Sequence, residues 1–173
     1  MAGQFIAAYD RLLLGLGALA GLVISAMAVL ITLDVVLRNV GLANMPWLNE
    51  LSEYALYITT FIAAPWVLSL GSHVRVDLLA VSLPRAAARV LEIVADLLGT
   101  AISLTMGWYG LRVVMDGFVR GDLLYKEVVI PEWWLLAFIP LGCALLAIEF
   151  LRRLFRAFSG ANQGADTPLA EGF

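Results

Sequence analysis

Hydrophobic positions in this chain gather into four long runs, roughly Leu12 to Leu33, Tyr54 to Leu70, Val90 to Met115 and Trp133 to Ile148, separated by short stretches that hold nearly every ionisable group. The first run is about 22 residues, which at a helical rise of about 1.5 Å gives roughly 33 Å, enough to cross a hydrocarbon core of about 30 Å. The pattern predicts an all-α integral membrane protein of four transmembrane helices, with spans near 12–36, 50–70, 85–116 and 132–155 forming one unit over residues 1–158. Residues 159–173, with Gly160, Gln163, Gly164, Asp166 and Pro168, have the small and polar composition expected of a disordered cytoplasmic tail. Ala18-Leu19-Ala20 imitates a leader cleavage site, but the apolar run continues through Val23, Ile24, Met27 and Ile31 without a polar break, as a retained span requires.

Composition changes the picture little and excludes much. Hydrophobic residues make up 62% of the chain and mean hydropathy is +0.91, far above soluble domains. A net charge of -3 argues against a nucleic-acid partner. With Cys143 the single cysteine and His73 the single histidine, neither a disulfide within the chain, a Cys-based metal cluster nor a pair of axial haem ligands can form, and no cofactor, metal or enzymatic activity is expected.

The basic residues orient the spans. Arg11, Arg75, Arg85, Arg89, Arg152, Arg153 and Arg156 fall on the side of the two termini, whereas the other side holds Arg38, Arg112, Arg120 and Lys126. The positive-inside rule then places both termini in the cytoplasm. The outward loops carry Glu50, Glu53, Asp122, Glu127 and Glu132. Trp47, Trp133 and Trp134 fall at the outer headgroup level, where they either anchor the helices or meet another protein.

Small residues mark helix faces suited to close packing. Gly17, Gly21, Ser25, Ala28 and Thr32 recur at helical spacing in the first span, as do Gly99, Ser103, Gly107 and Gly110 in the third. Such stripes serve contacts within the chain or with a partner subunit, and the spacing fits both. Pro65 and Pro140 should bend the second and fourth helices. No acidic or basic residue flanks either, which disfavours a broken-helix solute site. Asp96 is the deepest acid, with Glu92 and Arg89 one and two turns before it. An uncompensated Asp at a helix centre costs about 2.5–3.5 kcal/mol on insertion scales, so structural pairing is expected rather than a proton relay. Asp34 with Arg38, Arg112 and Arg120 with Asp116, and Glu149 with Arg152 and Arg153 stand at pairing distance along their helices, and imply that the first and third helices run on beyond the lipid.

The connection Gly71-Ser72-His73-Val74-Arg75-Val76-Asp77-Leu78-Leu79 fits helical spacing between His73 and Asp77 and strand-like alternation of Val74, Val76 and Leu78 equally well. His73, with no second histidine, suits capping and tethering at the headgroups better than metal binding. Ser82 and Pro84 mark the start of the third helix.

The run Asp34-Val35-Val36-Leu37-Arg38-Asn39, then Trp47 and Asn49-Glu50-Leu51, the Gly71 to Leu79 connection, and Ile130-Pro131-Glu132-Trp133-Trp134 with Ile139-Pro140-Leu141-Gly142, together resemble the small membrane (DctQ-like) subunit of tripartite ATP-independent periplasmic (TRAP) transporters. The resemblance covers roughly Asp10 to Phe155, with Arg38, Trp47, Glu50, His73, Val76 and Asp77 at matching positions and Gly71 opening the loop motif. It implies a four-helix protein of the bacterial inner membrane that braces a large multi-span subunit carrying the substrate and sodium sites. It also implies a soluble periplasmic binding protein that delivers an organic acid for sodium-driven uptake. On that basis Arg38, Trp47, Glu50, Glu53, Asp122, Glu132, Trp133 and Trp134 are candidates for an outward docking face. Gly17, Gly21, Ser25, Gly99, Ser103 and Gly107 are candidates for subunit packing, and membrane lipid is the remaining partner. The alternative is a stand-alone, proton-coupled four-helix transporter, for which only off-centre Asp96 offers a coupling acid.

Overall fold

The structure, a computed structural model, describes residues 2–42, 45–70, 85–126 and 128–158. The Gly71, His73, Val76 and Asp77 motif, Ser82, Pro84 and the expected tail at 159–173 lie outside the described residues.

The apolar runs fold as α1 (Ala2–Asn39), α2 (Trp47–Leu70), α3 (Arg85–Arg120), a short α4 (Glu132–Leu136) and α5 (Phe138–Phe158), with a two-strand ladder of β1 (Leu123–Leu124) and β2 (Ile130–Pro131) between α3 and α4. Four segments are long and apolar enough to cross a membrane: Ile6–Asn39, Trp47–Leu70, Arg89–Arg120 and Glu132–Phe158. At 38 and 36 residues, α1 and α3 measure about 57 and 54 Å, well beyond a hydrocarbon core of about 30 Å. Both therefore tilt or project past the lipid, as their terminal charges suggested.

The helices pack in the spatial order α1, α2, α5, α3, with no extensive interface between α1 and α3. The polarity of a soluble fold is reversed. Asp34, Glu50, Ser52, Thr59, Asp96, Thr100, Ser103 and Glu149 are buried, whereas Leu14, Leu22, Val29, Val90, Leu97 and Met115 are exposed. Lipid gives apolar side chains no reason to hide, so close packing and hydrogen bonding hold the interior.

The small residues show where helices meet. A side chain at Gly17 would collide with the Trp66 ring on α2, and one at Gly99 would come within 2.5 Å of the Phe150 ring on α5. Between α2 and α5 the contact reaches the backbone itself. Pro65 has no N–H to offer the carbonyl of Phe61, and a Cβ on Gly142 would lie only 2.7 Å from that same oxygen. The freed carbonyl thus faces a glycine, which permits the backbone contact that neighbouring helices supply around intramembrane prolines.

Two breaks follow from local chemistry. Beyond α1, Gly41 takes φ +75 while Leu42 N–H donates to the Leu37 carbonyl at 3.0 Å and Gly41 N–H to that of Arg38 at 3.1 Å, the bonding pattern of a Schellman cap. In the fourth span Pro140 was expected to bend one continuous helix. The helix is divided at Ala137, within the turn before Pro140, although Ala137 keeps helical angles and its N–H still donates to the Trp133 carbonyl at 3.0 Å; Pro140 occupies the first turn of α5, where its missing donor costs least.

Candidate partner-docking site

Glu50, Glu53 and Tyr54 occupy positions i, i+3 and i+4 of α2 and so share one face at the end of the bundle where α2 begins. That face meets the connection from α3 to α4. Val128 N–H donates to Glu50 Oε2 at 3.0 Å, and the Tyr54 hydroxyl donates to Glu50 Oε1. Lys126 Nζ pairs with Glu53 Oε2 at 2.9 Å and stands 5.5 Å from the centre of the Tyr54 ring. The connection is further closed by the pairing of Leu123 with Pro131 and Leu124 with Ile130, and by Glu132 N–H donating to the Asp122 carbonyl at 3.1 Å.

This geometry corrects one expectation. Glu50 was placed among residues open to a partner, but its residue surface is only 6% exposed and both of its oxygens are engaged internally. A carboxylate leaves water only when donors compensate it, and here α2 and the loop supply them. Arg38, Trp47, Glu53, Asp122 and Trp134 are exposed at the same end, while Glu132 and Trp133 are half-buried. Trp133 meets Phe118 and Trp134 edge to face, with ring centres 5.3 and 5.9 Å apart. Glu53, Tyr54, Tyr57, Leu124, Lys126 and Glu132 line a shallow cleft of about 210 Å³. Lys126 and Val128 escaped the sequence reading because their partners lie 73 and 78 residues away in the chain, whereas Tyr54 stands one turn from Glu50 on α2, a spacing that could have signalled the pair.

At the opposite end a second polar cluster ties α1 and α3 to α5. Glu149, fully buried, bridges Arg152 at 3.1 Å and Arg156 at 3.2 Å. Arg152 also pairs with Asp10 at 2.8 Å and lies 4.7 Å from the Tyr9 ring centre, and the Tyr9 hydroxyl donates to the Leu145 carbonyl at 3.0 Å. Arg153 is expected beside Glu149, yet it pairs with Asp96 across the α3–α5 interface at 3.2 Å. Arg89 donates to the Ala157 carbonyl at 2.6 Å. Asp34 accepts from Met45 N–H at 3.1 Å, which ties the end of α1 to the α1–α2 connection.

Between the two ends, Ser25, Thr32, Thr60, Thr100 and Thr105 return their hydroxyls to the carbonyl four residues earlier. The small-residue faces divide. Gly17, Gly99, Ser103 and Gly107 are spent on packing within the chain, with Cys143 3.4 Å from a Cβ placed on Gly107, whereas Gly21 and Ser25 are exposed and a Cβ on Gly21 meets nothing within 4 Å. Among the described residues no group of three or more His, Cys, Asp or Glu side chains is placed to hold a metal ion.

A four-span membrane protein with polar clasps at both ends and an apolar middle is the class this arrangement defines. The chain belongs to the DctQ component family of the tripartite ATP-independent periplasmic transporters, whose family model matches residues 27–160. It is similar to the ectoine TRAP transporter small permease protein TeaB of Halomonas elongata, at 21% identity over 125 residues, covering 72% of this chain and 64% of that relative. The match thus spans a little under two thirds of the relative's length.

Proposed function

We propose that this chain is the brace of a TRAP membrane complex in the bacterial inner membrane. In this reading both termini are cytoplasmic and the chain pairs with a large multi-span subunit that carries the transport path. Its outer face, formed by Arg38, Trp47, Glu53, Asp122, Glu132, Trp133 and Trp134, helps to dock a periplasmic binding protein. The complex takes up an organic acid at the expense of a sodium gradient. Family membership over residues 27–160 carries this reading. The placement of charge adds to it, because Asp96, the one acid a stand-alone proton-coupled transporter would need, is engaged by Arg153 at 3.2 Å.

Purification of the tagged chain from native membranes tests the proposal. A large multi-span protein should co-purify in fixed ratio, and a solute-loaded periplasmic binding protein should be retained by the pair. Recovery of the chain alone under mild detergent would overturn it.

A further inference from the structure

We infer that Glu50 is a positioning residue for the outer docking face: its buried carboxylate fixes the α3–α4 connection in the shape that the periplasmic partner reads, without touching that partner itself. The inference rests on the docking role proposed above and adds to it the device that sets the docking surface.

Among the described residues the connection's other ties are a backbone bond from Glu132 to Asp122 at its base, a short ladder and one exposed ion pair. Its own ladder is two residues long on each side, and a pair of such short strands is marginal alone. The Glu53–Lys126 pair is exposed on both sides, at 65% and 40%, and exposed pairs of this kind fix geometry weakly. Glu50 differs in each respect. It is buried, it stands on a membrane-spanning helix, and its second oxygen receives a backbone N–H from Val128, 78 residues further along the chain. Its first oxygen receives the Tyr54 phenol, whose ring in turn lies under Lys126. Two points of the loop, residues 126 and 128, are thereby referred to one face of α2. Around them Leu123, Tyr125, Val128 and Val129 are exposed apolar or aromatic side chains, of the kind that forms the centre of a protein contact. A buried acceptor that serves two donors leaves both unsatisfied when it is removed, so removing it should release the loop while leaving the spans packed.

The test uses the complete membrane complex with Glu50→Ala, Glu50→Gln and, as a variant that leaves the carboxylate in place, Val128→Pro. Hydrogen exchange at the Val128 amide reads the clasp. Sodium-driven uptake in proteoliposomes, titrated with solute-loaded binding protein, reads docking as KM and turnover as Vmax. In Glu50→Ala the Val128 amide should exchange at least about tenfold faster and KM should rise about tenfold, with Vmax and recovery of the large subunit unchanged. Glu50→Gln keeps a carbonyl acceptor for Val128 and should recover most of both losses. Val128→Pro should raise KM as Glu50→Ala does, which keeps the question answerable if Glu50→Ala fails to assemble. Unchanged exchange in Glu50→Ala, or unchanged KM in Val128→Pro, overturns the inference. Faster exchange with unchanged KM in Glu50→Ala overturns it at the docking step and removes the docking role with it.

Discussion

Replacing Arg153 by methionine removes one partner of the ion pair that joins α3 to α5 and leaves Asp96 sealed in the interface. The nitrogen and oxygen are 3.2 Å apart, and the two side chains are only 15% and 5% exposed. Breaking a buried pair from one side costs about 3–5 kcal/mol, because the remaining charge has lost its compensation. Insertion scales put an Asp at a helix centre at about 2.5–3.5 kcal/mol, an upper value for off-centre Asp96. The two ranges meet near 3 kcal/mol, which is the expected loss for Arg153→Met. Methionine retains much of the arginine stem, so the loss reports charge more than volume. The double variant Asp96→Leu with Arg153→Met removes both charges and should return to within about 1 kcal/mol of the parent, since replacing a whole buried pair by apolar groups is often neutral. Equilibrium unfolding of the purified protein in mixed micelles, run as a double-mutant cycle, measures all four states. A loss below about 1 kcal/mol for Arg153→Met, or a double variant as unstable as the sum of its singles, would refute the claim that this pair holds α3 against α5.

Three further outcomes follow from the same packing. Gly142→Ala sets a methyl 2.7 Å from the Phe61 carbonyl and should cost about 1–3 kcal/mol in the same unfolding assay, as overpacking does. Gly21→Leu projects into open space and should leave the stability of the isolated chain unchanged while weakening recovery of the large subunit in detergent, if α1 is the flank that meets it. Glu53→Lys sets two cations at the exposed rim and should cost at most about 1 kcal/mol of stability, yet weaken capture of the binding protein in a pull-down. It is a cleaner probe than a change at Glu50, where a buried lysine would disrupt α2 as well.

The four spans were legible because a bilayer writes its thickness into the sequence as uninterrupted apolar runs. Local rules served equally well where the partner lay a turn away, as for Glu149 with Arg152. They failed where the partner lay on another helix. Asp96 was read against Arg89 and Glu92 on its own helix, but Arg153 on α5 compensates it. Spacing also could not divide the small-residue stripes, since whether Gly17 meets Trp66 or lipid depends on how far α2 is rotated. Glu50 was misplaced for a related reason. A carboxylate at a helix start reads as exposed until the loop that covers it, and the backbone N–H it receives from Val128, are known. The break at Ala137 and the ladder at Leu123–Leu124 and Ile130–Pro131 are too short to impose any periodicity.

Uptake by vesicles that contain this chain and no other protein tests the central claim most directly, because a brace without its partner has no path for solute. Under an imposed sodium or proton gradient such vesicles should accumulate nothing above protein-free controls, and adding the large subunit and the binding protein should restore sodium-dependent uptake. Gradient-driven accumulation by the chain alone would contradict the account.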